Sequence, residues 1–206
     1  MSDLVLYHAP RTRSVRVRWA LEEMGLDYRL ERVDFTKRPP GGEAFAKVNP
    51  LQKLPALTDD GAPISESNAI IQYLIGRYGP TDIEVKPDEV DYGRYLQWLH
   101  FGEGGMTMPV SLLLAHTFLL PEDQRNPALA KWARHEVAKL LKYIDEHGLQ
   151  GRDWLAAGRF TAADISVVYM LLLLKLIREF DTAPEGVKAY FARATERDAW
   201  KRATAD

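Results

Sequence analysis

Two stretches of this chain carry side chains that could do chemistry. The first, Ala9-Pro10-Arg11-Thr12-Arg13-Ser14, offers two hydroxyls among arginines, between an extended segment and a helical one. The second, residues 49–67, combines three backbone devices. Leu54-Pro55 heads the apolar run Pro55-Ala56-Leu57, where a proline can start a strand but cannot occupy its middle. Asp59-Asp60-Gly61 makes a turn, and Ala62-Pro63-Ile64 returns as a second short strand. Ser65-Glu66-Ser67 then opens a helix, with hydroxyls and a carboxylate at its first turn. A strand-start proline beside a helix N-terminus gathers free backbone N–H groups, a glutamate and a serine. Such a set can hold a short peptide by its backbone and by its α-amino and carboxylate groups. Taken alone, the same residues also describe an ordinary hairpin followed by a capped helix.

The elements that must position these groups follow from periodicity. Leu4 to His8 reads as a short buried strand. Ala9-Pro10 breaks it, and a helix follows from about Arg13, with Val17, Ala20, Leu21 and Met24 on one face and Gly25 at its end. Tyr28 to Phe35 alternates as a second strand, Lys37 to Gly42 is a loop, and Glu43 to Val48 is a short helix. With the hairpin and a helix from about Glu66 to Tyr78, the order is β-α-β-α-β-β-α. One β-α-β crossover plus one hairpin is what a thioredoxin-like, mixed four-stranded sheet requires.

Gly79-Pro80-Thr81-Asp82 and Lys86-Pro87-Asp88 punctuate the chain, and no strand pattern follows them. The spacing therefore predicts an α/β domain over 1–80 and an all-α domain over 88–206. Val90 to Phe101 and Pro127 to Glu146 read as helices, the latter with Ala133, Val137, Leu140, Leu141 and Ile144 on one face. Thr161 and Asp164 fit an N-cap and its partner three residues on, while Phe160 and Ile165 fit the flanking hydrophobic staple. The helix beyond, through Val168, Tyr169, Leu172 and Leu176, is apolar on nearly all sides and belongs at a core.

Composition narrows the function classes. A net charge of −2 gives no sign of a nucleic-acid surface. There is no cysteine, so disulfides, thiolate metal sites and a protein thiol nucleophile are excluded. The five histidines are scattered without ligand spacing, so no metal is expected. Val167 to Leu174 is far shorter than the roughly 20 residues needed to cross a bilayer. The Met-Ser-Asp start shows no secretory signal, and a cytoplasmic location is the expectation.

The 49–67 segment resembles the glutathione-binding segment of the glutathione S-transferase family, and the Phe160–Ile165 capping motif resembles that of the family's core helix. A small α/β domain followed by a helical one is similar to the family over the whole chain. The resemblance implies glutathione as co-substrate, a hydrophobic electrophile as second substrate, a cis bond at Leu54-Pro55 and a homodimer, with a place in detoxification. Such an enzyme must ionise a thiol whose ordinary pKa is near 8.5. One pH unit of lowering takes about 1.4 kcal/mol. A single charge-assisted hydrogen bond or a helix N-terminus is of that size.

In family members that use a serine, it commonly lies four residues before an arginine of the first helix; counting back from Arg16 gives Thr12. Ser14 competes for the role, and Arg13 is a further contact; either hydroxyl can instead simply cap the helix. Leu54 would pair with the cysteinyl backbone beside Pro55, and Glu66 and Ser67 would hold the γ-glutamyl end. Lys37, Arg38 or Lys53 would meet the glycine carboxylate, with Gln52 as an added hydrogen-bonding partner. Phe101, Met106, Met108, Pro109 and Leu112, after the break Gly102-Glu103-Gly104-Gly105, would wall the hydrophobic site, unless they are core packing. Two other readings stand beside conjugation: glutathione-dependent reduction of disulfides or peroxides, and a non-catalytic binding module on the same fold.

Overall fold

Leu4, Val5 and Leu6 are almost wholly buried because their strand is flanked on both sides. In the computed structural model, which describes residues 3–35, 37 and 39–205, β1 (Leu4–His8) pairs in parallel with β2 (Arg29–Arg32) and antiparallel with β3 (Ala56–Asp59). β3 pairs antiparallel with β4 (Ala62–Ser65), so the mixed four-stranded sheet runs β2-β1-β3-β4. α1 (Ser14–Met24) is the crossover between β1 and β2, α2 (Gly42–Val48) leads to β3, and α3 (Ser67–Tyr78) follows β4. This is the thioredoxin-like arrangement expected from the order of elements. Gly25 ends α1 at φ +63°, the left-handed conformation that a glycine adopts without strain. Leu4, Leu6, Val17, Leu21, Leu57, Ile70 and Leu74 form the core between sheet and helices.

β2 is shorter than its alternating pattern, ending at Arg32 rather than Phe35. It is an edge strand with β1 as its one partner, and β1 stops at His8 opposite Arg32. Thr36 and Arg38 lie outside the described residues.

The chain divides into two compact units, Met1–Glu84 with Arg197–Asp206, and Val85–Glu196. The helical stretch thus does not run to the end of the chain as one body. The first unit reclaims α9 (Asp198–Ala203), because Trp200 meets Trp19 of α1 edge-on at 4.7 Å between ring centroids. Arg197 makes two 2.7 Å bonds to the Glu23 carboxylate, and Arg202 reaches Glu22 at 2.6 Å. Nothing in the local pattern of residues 197–206 announces those partners, which lie some 180 positions earlier.

The second unit is built on α7 (Ala162–Leu176), whose side chains are nearly all buried. Its N-terminus is capped as the sequence predicts: the Thr161 N–H and hydroxyl donate to Asp164 Oδ2 at 2.7 and 3.1 Å. Asp164 Oδ1 accepts from the Leu155 N–H and the Tyr190 hydroxyl, at 3.1 and 2.9 Å. Burial nevertheless dominates these four donors and pushes the Asp164 carboxyl up to about 6. α4 (Tyr92–His100) continues through a π turn, Phe101–Gly105, into α5 (Thr107–Leu114). Gly102 lies against the Ser166 backbone of α7, and the Ser166 hydroxyl donates to the Leu99 carbonyl at 2.7 Å. α6 (Pro127–Tyr143), opened by Asn126 as N-cap, and α8 (Glu185–Thr195) complete the unit. No helix of the described residues is long and apolar enough to cross a membrane.

Candidate functional site

Sheet register gathers the chemistry-bearing groups at one end. Tyr7 of β1 stands opposite Ala56 of β3, and Ala56 stands opposite Ser65 of β4. The C-terminal end of β1, the N-terminal end of β3 and the C-terminal end of β4 are therefore neighbours. From them emerge the 9–13 turn into α1, the Leu54-Pro55 step and the Glu66-Ser67 start of α3. Residues more than 50 positions apart meet because two antiparallel pairings place them side by side.

The Leu54-Pro55 peptide bond is cis. Ala56 is the first residue of the ladder, so Leu54 stands ahead of it, and its backbone N–H and C=O have no hydrogen-bond partner among the described residues. The turn before it is braced by Asn49, whose side chain donates to the Lys53 carbonyl at 2.8 Å and accepts from the Leu51 N–H at 3.1 Å. A strand end with open backbone groups is the place where an extended peptide adds to a sheet.

Glu66 adopts φ +72°, ψ +113°, an unusual conformation for a residue with a Cβ. Such backbone costs on the order of 1–3 kcal/mol and concentrates at functional positions. Its side chain is exposed, and no ion pair engages it among the described residues. Ser67 and Asn68, the first residues of α3, are buried, and that helix has neither a side-chain cap nor an acidic residue in its first turn. Its N–H groups thus remain suited to a carboxylate. Behind them the fully buried Arg16 donates from Nη1 to Ser67 Oγ at 3.2 Å.

The two candidate hydroxyls differ in environment. Ser14 is wholly buried, with Oγ 2.8 Å from His8 Nδ1 and 2.7 Å from Thr12 Oγ1. Thr12 is half-buried and reaches the Ala9 carbonyl at 2.8 Å. Neither hydroxyl makes a standard cap of α1, whose N-cap position is Arg13. Of the pair, Thr12 is the more exposed.

The remaining expected contacts scatter. Gln52 directs its amide N–H groups to the Pro40 and Gly42 carbonyls, at 3.0 and 3.2 Å, so it ties down the preceding loop. Lys37 and Lys53 are exposed and Arg13 is half-buried, while Arg38 lies outside the described residues. In the second unit, Met106 is 0% exposed and Pro109 is buried, so both serve packing there. Phe101 is half-buried, edge-on to Trp98 at 4.9 Å. Leu112 is partly open, and Met108 is 59% exposed. The hydrophobic wall expected from five residues is thus split between core and surface. Sequence reasoning passed over His8 and Asn49. The signal for His8 was a histidine closing a buried strand six residues before a serine; Asn49 gave none beyond an Asn-Pro turn.

Comparison with known proteins identifies the family. Residues 2–76 match the family model described as glutathione S-transferase, N-terminal domain, and residues 107–198 match its C-terminal domain. Glutathione S-transferase 3 of Schizosaccharomyces pombe is 32% identical over 174 residues, covering 78% of this chain and 70% of that protein. The disulfide-bond oxidoreductase YfcG of Escherichia coli is 29% identical, covering 78% and 75%. A glutathione transferase from Pseudomonas putida, solved with one glutathione disulfide bound per subunit, superposes with a TM-score of 0.87 at 26% identity, covering 98% and 91%.

Proposed function

The chain belongs to the glutathione S-transferase family, and on that premise we propose that it joins the thiol of glutathione to hydrophobic electrophiles, its sulfur held as thiolate by the Thr12 hydroxyl. The observation that carries this reading is the convergence of Thr12, Leu54 and Glu66-Ser67 at one sheet end. Leu54 pairs with the cysteinyl backbone of the tripeptide, Glu66 takes its α-ammonium group, and Ser67 with the α3 N-terminus takes the adjoining carboxylate. The thiolate attacks the electrophilic carbon, a C–S bond forms, and the leaving group departs with its electron pair, the thiol proton having gone to solvent. The accessible side chains of α5, Met108 and Leu112, suit an apolar second substrate. The active form on this reading is a twofold homodimer, the commonest closed assembly.

A second reading is favoured by one fact: the chain has no cysteine, yet it is similar to a disulfide oxidoreductase and to a transferase that holds glutathione disulfide. Here the thiolate of bound glutathione attacks a substrate disulfide, breaking its S–S bond and releasing one substrate thiol. A second glutathione attacks the mixed disulfide, releasing the other substrate thiol and glutathione disulfide.

Retention on immobilised glutathione, followed by assays with an aromatic halide and with a mixed disulfide, separates the readings. Retention with halide turnover supports conjugation. Turnover of the disulfide alone supports reduction, and no retention leaves a non-catalytic module.

A further inference from the structure

Ser14 is the middle of a chain of three short contacts: His8 Nδ1 to Ser14 Oγ at 2.8 Å, Ser14 Oγ to Thr12 Oγ1 at 2.7 Å, and Thr12 Oγ1 to the Ala9 carbonyl oxygen at 2.8 Å. Three hydrogen bonds need three protons, and each hydroxyl owns one. A carbonyl only accepts, so Thr12 donates to Ala9. Thr12 then has nothing for Ser14, so Ser14 donates to Thr12. Ser14 in turn has nothing for the ring, so Nδ1 must carry the third proton. The longer approach of Ser14 Oγ to the same carbonyl, 3.3 Å, does not alter this count: a Ser14 proton sent there is equally unavailable to the ring. The Ala9 and Ser14 N–H groups, 3.4 Å from the Ser14 and Thr12 oxygens, only donate.

We infer that His8 is held as the Nδ1–H form and is a positioning residue, acting through Ser14 to leave the Thr12 proton available to a guest sulfur. With Nδ1 bare, the ring accepts a hydrogen bond from the Ser14 hydroxyl, Ser14 accepts one from Thr12, and the Thr12 proton is drawn inward. With Nδ1 protonated, the Thr12 hydroxyl turns about its Cβ–Oγ bond from the Ala9 carbonyl to the thiolate while still accepting from Ser14. A hydroxyl that receives a hydrogen bond gives a stronger one. His8 and Ser14 are both wholly buried, so bulk water does not substitute for the missing donor. No proton changes its atom in this scheme. The inference rests on the glutathione reading above for its consequence, though not for the state of the ring.

Two measurements test it. Nitrogen-15 spectra of the histidine-labelled protein without ligand, with His8→Asn to identify the signal, should show Nδ1 protonated; a bare Nδ1 overturns the inference whatever the protein binds. The ultraviolet absorbance of the bound thiolate, followed against pH, should move up by about half a pH unit in His8→Leu, a roughly threefold loss of thiolate. Ser14→Ala should give the same shift, and the double variant no more than either. His8→Asn, which keeps an N–H at that place, should recover most of it. If His8→Leu does not fold, Ser14→Ala carries the titration. An unmoved titration with glutathione bound, or additive shifts in the double variant, overturns the relay alone. Failure of the native protein to bind glutathione overturns the functional reading, and the ring state is still read from the spectra.

Discussion

Arg16, wholly buried on α1, donates to the hydroxyl of Ser67, the first residue of α3. A fixed cation therefore stands behind a helix N-terminus that has no acidic residue in its first turn. Both features favour an anion at the same spot. Because Ser67 Oγ accepts from Arg16, its own proton can be directed outward. The γ-glutamyl carboxylate of glutathione has the charge and the acceptors for that place, and exposed Glu66 has the charge for the neighbouring ammonium.

Glu66→Gln should therefore weaken glutathione binding by tenfold or more, since a hydrogen bond to a charged group is worth about 1.5–3 kcal/mol. Ser67→Ala should weaken it less. Saturating turnover should change little in both, because these groups contact parts of the tripeptide that do not react. Calorimetric titration against steady-state kinetics checks this; unaltered affinity in Glu66→Gln would remove the residue from the site.

Thr12→Val keeps the shape of the side chain and removes its donor. Turnover should fall at least tenfold with glutathione affinity nearly unchanged, as expected when a group stabilises the thiolate more than the thiol. Ser14→Ala should cost less, its hydroxyl being buried away from the guest. The reverse order of effects would transfer the sulfur contact to Ser14.

Asp164 makes folding pH-dependent in a definite direction. Its carboxyl titrates near 6 in the folded protein and near 3.9 in an unfolded chain. Between those values the folded state holds the proton that the unfolded chain has released, so this group's contribution is present at pH 4 and is lost as pH rises through 6. The unfolding free energy of the native protein relative to Asp164→Asn should fall by about 2–3 kcal/mol from pH 4 to 7. A difference that is flat or rises over that window would show that the four donors outweigh burial.

Gly102 has no room for a methyl group, since a Cβ there would overlap the Ser166 hydroxyl and backbone. Gly102→Ala should destabilise the protein by about 1–3 kcal/mol, as overpacking does. Denaturant unfolding measures it. A loss below about 0.5 kcal/mol, the range of ordinary surface changes, would mean that this contact yields.

Assembly is a separate test. Sedimentation at micromolar concentration should show a species of twice the chain mass; a monomer there would refute the dimer.

Some of this was legible in the residues because the signals are local. Leu4–His8 is apolar and β-prone, so β1 ends where Ala9-Pro10 interrupts it. Thr161 and Asp164 are three residues apart, so the cap of α7 is a property of one turn. Leu54-Pro55, Asp60-Gly61 and Glu66-Ser67 lie within fourteen residues, which made the hairpin and the start of α3 readable before any fold was known. Met106 and Met108 illustrate the opposite case: equally plausible as pocket walls, one is fully buried and the other largely exposed. That difference depends on which face of the helix meets its neighbours.

The order of strands and helices, the missing thiol and the candidate binding segment belong to the sequence, since each arises from neighbours in the chain. Which hydroxyl faces outward, what stands behind Ser67 and where the last helix docks belong to the tertiary structure. His8 meets Ser14, Arg16 meets Ser67, and Arg202 meets Glu22 only after the sheet has brought its strands into register and the helices have packed. A hydrogen bond is decided within a few tenths of an ångström, and no spacing along a flexible chain specifies distance that finely.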